Sequence, residues 1–244
     1  MDRNTLAGLR YDRGHIEAMR KAVHEAIISR SKNIREGDFN AIGLADMKLM
    51  FDLYDELFLG RYFSDVSATK VVFRLSKRAT RAAGKTAFYA DGAVVIALSS
   101  YLLFMTFGDV KRDIRVNGVA CRDRLEAAQL VFEHELVHLL EHELHGATSC
   151  SGSRFGAIAM AIFGHTEVTH QLVIQAERAR EIYGVKIGDT VEFELEGRTM
   201  RGLVSRVTKR ATVMVEDPEG PWTDGKGKKY IKCYIPLQML RRQG

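Results

Sequence analysis

Residues 134–138 read His134-Glu135-Leu136-Val137-His138, with the apolar residues Leu130, Val131, Phe132, Leu139 and Leu140 on either side. A helix turns about 100° per residue, so positions i and i+4 stack on one face with Cβ atoms about 6 Å apart. Two imidazoles so placed fit one Zn²⁺ at about 2.0–2.1 Å. Glu135, beside the first imidazole, is placed to reach a water on that ion rather than the ion itself. It can take the water's proton as Zn²⁺ lowers the water's pKa towards about 7. The alternative is a polar stripe on a surface helix, and the flanking residues, which belong in a core, weigh against it.

The remaining composition is that of a soluble globular chain. With 244 residues, 46% of them hydrophobic, there is material for one large domain or a medium one with a small companion. No apolar run approaches the ~20 residues of a membrane span, so no membrane partner is expected. Met1-Asp2-Arg3-Asn4 opens with charge and lacks the apolar core of a signal peptide, which points to a cytoplasmic location. Cys121, Cys150 and Cys233 are odd in number and far apart, against both a disulfide framework and a four-cysteine zinc ribbon. Net charge is +5, and from Gly184 to Gly244 twelve Lys and Arg stand against eight Asp and Glu, an excess of +4. A basic C-terminal module could face polyanions; a solvated surface without a partner is the other reading.

Along the chain, His15–Ser29 and Met47–Phe58 carry helical apolar stripes, and Thr69–Ser76 alternates as a strand. Asp91-Gly92, between Lys85–Ala90 and Ala93–Leu98, reads as a type I′ hairpin turn. Ala93–Leu98 is apolar on both faces and belongs inside a sheet; with a free edge it could pair with an extended substrate. A short helix over Ser100–Phe107 precedes a loop with Asn117-Gly118, and the motif helix runs from near Arg122 to about His145, stopped by Gly146. A second helix covers Phe155–Phe163, and Thr166 can cap a third over Glu167–Ile182. From Gly188 the pattern alternates at period two, which predicts a small all-β unit, most simply an SH3-like barrel.

Phe51-Asp52-Leu53-Tyr54-Asp55-Glu56-Leu57-Phe58-Leu59-Gly60, then Phe73–Gly84, then Val95-Ile96-Ala97-Leu98-Ser99, all ahead of the His-Glu-x-x-His run, resemble the SprT-like metalloprotease domain. That group includes the Spartan DNA–protein-crosslink proteases, and the likeness covers roughly residues 45–180. The C-terminal part, with Arg206-Val207-Thr208-Lys209-Arg210-Ala211-Thr212-Val213, resembles the β extension of a bacterial and phage-type branch. The resemblance implies a zinc-dependent peptidase acting on protein substrates and associated with DNA. It also implies a third ligand, a His in a His-Gly-x-x-Phe/Trp segment. Here that segment reads Ser151-Gly152-Ser153-Arg154-Phe155, and a neutral hydroxyl is a poor Zn²⁺ ligand.

Spacing ranks the substitutes. His142 and His145 share the face of His138 but lie further along an unbroken helix, each turn adding about 5.4 Å. A return along Gly152–Phe163 brings the chain back to the His134/His138 level near His165, where Gly164 breaks the helix; His170 is the second choice. Of the flanking acids, Glu141 could orient an imidazole and Glu133 is expected to be exposed. Arg74, Lys77, Arg78, Arg81 and Lys85 form either a solvated surface or a phosphate-binding rim. Phe88 and Tyr89 read as packing residues; Trp222, Tyr230 and Tyr234 are barrel core or a stacking platform.

The expected architecture is therefore α+β: a helical segment over residues 1–44, a zincin-like (SprT-like) metalloprotease domain over 45–183 and a basic β-barrel over 184–244. His134, His138 and His165 hold Zn²⁺, Glu135 is the general base, and Lys209, Arg210, Lys228 and Lys229 form a surface for non-specific DNA binding. Two other classes stay open: an adaptor associated with nucleic acid, whose structural metal site is closed by His170 or Cys150, and a hydrolase of non-protein amides.

Overall fold

Amphipathic spacing decides the first part of the chain. The computed structural model describes residues 1–242 and places there α1 (Arg3–Ala7), α2 (Arg13–Arg30), α3 (Leu44–Leu57) and the one-turn α4 (Tyr62–Asp65). On α2 the stripe Ile16, Met19, Val23 and Ile27 is buried, and Asp12 caps the helix by accepting the His15 N–H at 2.9 Å. α3 buries Met47, Met50, Phe51 and Tyr54; Asp46 closes its first turn, accepting the Gly43 N–H at 2.6 Å.

Three strands follow, β1 (Lys70–Ser76), β2 (Gly84–Phe88) and β3 (Ala93–Ser99), in the order β1–β3–β2. β3 runs parallel to β1 and antiparallel to β2, and its Val94, Val95, Ile96 and Leu98 are buried, as befits a strand apolar on both faces. That central position corrects one expectation. With ladder bonds on both sides β3 has no edge to offer a substrate, and the edge strands are β1 and β2. The turn between them also departs from the two-residue form. Gly92 has a φ of 78° while Asp91 is not among the positive-φ residues, and Tyr89 N–H bonds Ala93 O as Gly92 N–H bonds Tyr89 O, both at 3.0 Å. A three-residue connection ending in a left-handed glycine spares Asp91 the strain that a type I′ turn imposes.

α5 (Ser100–Met105) and a hairpin of β4 (Ile114–Val116) and β5 (Val119–Cys121) lead into α6 (Arg124–His145). At its start Asp123 accepts the Glu126 N–H at 2.8 Å, and Glu126 accepts the Arg122 N–H at 2.7 Å. At its end Gly146, with φ 72°, donates its N–H to His142 O, the left-handed stop the sequence predicts. α6 is buried on nearly every side between these caps because α2, α5, the sheet and the β4–β5 hairpin all pack on it. α7 (Ser153–Phe163) packs on it too, burying Phe155, Ala159, Ile162 and Phe163 before Gly164 stops it with φ 66°.

The predicted helix over Glu167–Ile182 forms only in its second half, as α8 (Gln175–Tyr183). Residues 166–171 instead lie along the β4–β5 turn: Asn117 N–H donates to Thr169 O at 2.7 Å, Gln171 N–H donates to Arg115 O at 2.8 Å, and Val116 bridges His170. These long-range backbone bonds override local helix propensity.

The chain divides into two compact units, Met1–Leu172 and the residues from Val173 onward. Both expected borders shift. Residues 1–44 are part of the first unit, since α2 packs on α3 and α6. α8 belongs to the second, since Ala179 is fully buried with Val185, Val191, Phe193, Val204, Val213 and Ile235 in its core. The second unit otherwise comprises β6 (Thr190–Leu195), β7 (Arg198–Val207), β8 (Arg210–Glu216), β9 (Trp222–Thr223), β10 (Lys229–Pro236) and β11 (Arg241–Arg242). They form one antiparallel sheet in the order β11–β6–β7–β8–β10–β9. Alternation does set which face is buried, as Ala211, Val213 and Val215 show. Closure does not follow: β11 and β9 are two-residue strands, each bonded to a single neighbour, so the expected closed barrel is an open sheet. The protein is thus α+β.

Candidate metal centre

α6 sets the imidazoles of His134 and His138 on one side, with ring centroids 5.1 Å apart. The ring of Phe155 packs against both, 4.9 Å from His134 and 4.6 Å from His138. Nδ1 of His138 lies 2.8 Å from Thr148 Oγ1, which leaves Nε2 for another partner. Burial, with His138, His165 and His170 nearby, pushes His134 down to about 3. Burial lowers His138 as well. Both rings are therefore neutral near pH 7, the form that ligates a metal.

A third candidate donor arrives on the turn after α6. Buried Glu141 accepts the Ser149 N–H at 3.0 Å, and Gly152 N–H donates to Ser149 O at 2.8 Å, so Cys150 sits at the corner of a tight turn. Its Sγ and one nitrogen each of His134 and His138 all lie within 4.8 Å of one another. From the sequence Cys150 was placed only as a ligand closing a structural site, and Glu141 only as a support for an imidazole. The structure gives Glu141 a different task, anchoring the turn that carries Cys150. The Ser151 hydroxyl, where the resemblance would put a third ligand, is 3.0 Å from the Ser149 hydroxyl.

His165 is not part of that group. Gly164 does turn the chain, but the Nε2 of His165 is 2.8 Å from Glu133 Oε2, and its Nδ1 is buried with no hydrogen-bond partner among the described residues. Glu133 was expected to be exposed and is fully buried. The reason is its partners: Arg20 forks onto both carboxylate oxygens at 2.8 Å and Tyr54 donates its hydroxyl at 2.6 Å. Burial alone would raise Glu133, yet Arg20 and His165 hold it down at about 2. His170 is engaged at both nitrogens, with Nε2 2.8 Å from Arg81 O and Nδ1 accepting the Leu172 N–H at 3.4 Å. The ring of His142 stacks on Phe88 at 3.9 Å, and His145 is exposed at the helix end.

Glu135 points to the other side of His134, towards β2. Thr86 Oγ1 donates to Glu135 Oε2 at 2.7 Å. Burial outweighs that bond and raises the Glu135 carboxyl to about 7. Gly84, on the same strand, makes room for it: a Cβ there would come 2.3 Å from Glu135 Oε1. His134 and Glu135 open together onto a cavity of about 120 Å³ that Gly84, Asn117, Thr169 and His170 also line. None of Thr86, Gly84 or Thr148 stands out in the sequence, because their roles come from strands and turns that pattern alone does not join to α6.

The predicted basic surfaces are exposed but less open than the sequence suggests. Lys228 is ion-paired with Glu216, and Lys232 holds its ammonium 2.9 Å over the Trp222 ring, which takes that aromatic face from any base. Arg210 and Lys229 open β8 and β10, and Lys209 precedes β8; all three are exposed. In the first unit Arg74, Lys77, Arg78, Arg81 and Lys85 are exposed on and around the β1–β2 loop.

Taken as ligands, two neutral imidazoles and a thiol whose donor atoms cluster within 4.8 Å fit a tetrahedral, nitrogen- and sulfur-binding divalent ion. No helix among the described residues is long and apolar enough to cross a membrane. Comparison of the chain with protein-family models, with curated proteins and with solved structures found no match.

Proposed function

We propose that the first unit is a zincin-like, SprT-like metallopeptidase that hydrolyses peptide bonds in protein substrates. The observation that supports it best is the placement of Glu135: its carboxylate shares a cavity with His134 and is held there by Thr86. His134 and His138 are the residues that would hold Zn²⁺. The bound ion would supply a Lewis acid that polarises the scissile carbonyl and acidifies water. Glu135 takes the proton of the attacking water and passes it to the leaving amine; with Oε2 engaged by Thr86, Oε1 is the oxygen that carries it. β2, an edge strand beside Glu135, can align an extended peptide by strand addition.

One feature favours an enzyme over a structural metal site. His170 has both nitrogens engaged and is no ready fourth ligand, and catalytic sites keep one position open. The excess of +4 in the C-terminal residues supports action on DNA-associated proteins. Glu135→Gln tests the central reading. Zinc content and fold should persist while cleavage of an unstructured protein substrate is lost, because the amide cannot accept the proton. Undiminished cleavage would overturn it.

A further inference from the structure

The metallopeptidase reading requires a third protein donor, and we infer that the thiolate of Cys150 supplies it, making the centre His134–His138–Cys150. The inference rests on that reading and deepens it. The donor atoms of these three residues already lie within 4.8 Å of one another. Bond lengths of about 2.0–2.3 Å set the donor separations of a tetrahedral ion at about 3.3–3.6 Å, so a small inward movement of the Cys150 side chain is enough.

The turn that carries Cys150 is tied to the motif helix at two points. Glu141 holds the Ser149 N–H, and Thr148 holds Nδ1 of His138. The second contact orients a ligand and the first positions the thiol, so the outer contacts of the site serve both kinds of donor. The competing donors are each committed elsewhere or chemically poor. His165 donates to the Glu133 carboxylate through Nε2. Its remaining nitrogen, Nδ1, lies outside the cluster. Ser151 offers a neutral hydroxyl already in contact with Ser149. A thiolate is a softer and more charge-donating ligand than an imidazole. The chain therefore replaces the third imidazole of its look-alikes with a sulfur carried one residue before the family position, and three ligands leave the fourth place on the ion open.

Cobalt substitution tests this on the full chain with a readout independent of activity. Co²⁺ bound by thiolate gives a near-ultraviolet sulfur-to-metal charge-transfer band that imidazole and carboxylate ligands do not give. The wild-type protein should show that band, and Cys150→Ser should lose it. The same variant should weaken Zn²⁺ binding by more than the ~10–100-fold that loss of an outer contact causes. Changing buried Cys121 or Cys233 to Ala should leave the band in place. Cys150→His should recover metal binding without the band. Cobalt bound by the wild type without a sulfur band, or metal lost in His165→Ala and retained in Cys150→Ser, would overturn the assignment while leaving the peptidase reading intact. A wild-type chain that binds neither Co²⁺ nor Zn²⁺ would end both.

Discussion

Thr86 donates its hydroxyl to Oε2 of Glu135 across 2.7 Å, from one edge strand of the sheet to the central helix. The bond fixes which carboxylate oxygen is spoken for, and Gly84, two residues earlier on the same strand, supplies the space the other needs. One short strand thus positions the proposed base from two sides.

Thr86→Val removes the donor while keeping the shape. Turnover should fall by about 10–100-fold, the usual cost of losing an outer partner, with zinc content and melting temperature close to wild type. Thr86→Ser should restore most of it. Turnover unchanged in the valine variant would show that Glu135 is positioned by packing alone.

Gly84→Ala places a methyl against the Glu135 carboxylate, 2.3 Å from Oε1 before relaxation. Overpacking of this kind costs roughly 1–3 kcal/mol. The carboxylate must also move, so activity should fall further than stability. Denaturant unfolding beside a peptidase assay separates the two, and equal losses in both would count against a specific displacement.

Partly buried Arg20 and fully buried Glu133 form an ion pair under the motif helix. Arg20→Met leaves Glu133 with Tyr54 and His165 alone, and removing one partner of a buried pair costs about 3–5 kcal/mol. Urea unfolding should show that loss; a change below about 1 kcal/mol would mean that the remaining donors satisfy Glu133.

Asp123 gives the acid limb of stability. Burial would raise its carboxyl, but the contact with His24, the Glu126 N–H and further local partners outweigh it and place it below the ordinary 3.8. A carboxyl depressed on folding stabilises the protein above its unfolded value and loses that contribution as pH falls through its folded value. Asp123→Asn keeps a capping oxygen and removes the charge, so its stability should fall less steeply than that of wild type as pH drops below about 4. Parallel acid-unfolding curves would remove Asp123 from the account.

Binding to duplex DNA, if it runs through the basic C-terminal residues, should weaken with a log–log salt slope near −0.9 per phosphate contact. Charge reversal at Lys209 and Arg210 should reduce that slope by about 2. Binding that ignores salt, or none at low salt, defeats this part of the reading.

The sequence was most legible where one local rule governs. Periodicity and the Gly146 stop locate the motif helix, and a strand apolar on both faces proved to be the central one. Legibility failed where partners are distant in the chain. Glu133 looks exposed on any helical wheel because Arg20, which buries it, lies 113 residues away. Glu167–His170 looks helical because the β4–β5 turn that captures it lies some fifty positions upstream. The place of Cys150 beside His134 and His138 is hidden from the sequence because it depends on a turn that the Ser149–Glu141 hydrogen bond anchors rather than on spacing.

Every donor atom of the proposed centre comes from the short run between His134 and Cys150, the last three or so turns of α6 and the loop after them, whereas the Thr86–Glu135 contact spans 49 residues. Closing a short loop costs little chain entropy and happens early, while a long-range contact waits for the sheet. On the proposed reading, metal capture and alignment of the base would then be separate events in the life of the molecule. A newly made or partly opened chain would keep its ion while unable to cut, and docking of β2 against the helix would arm it.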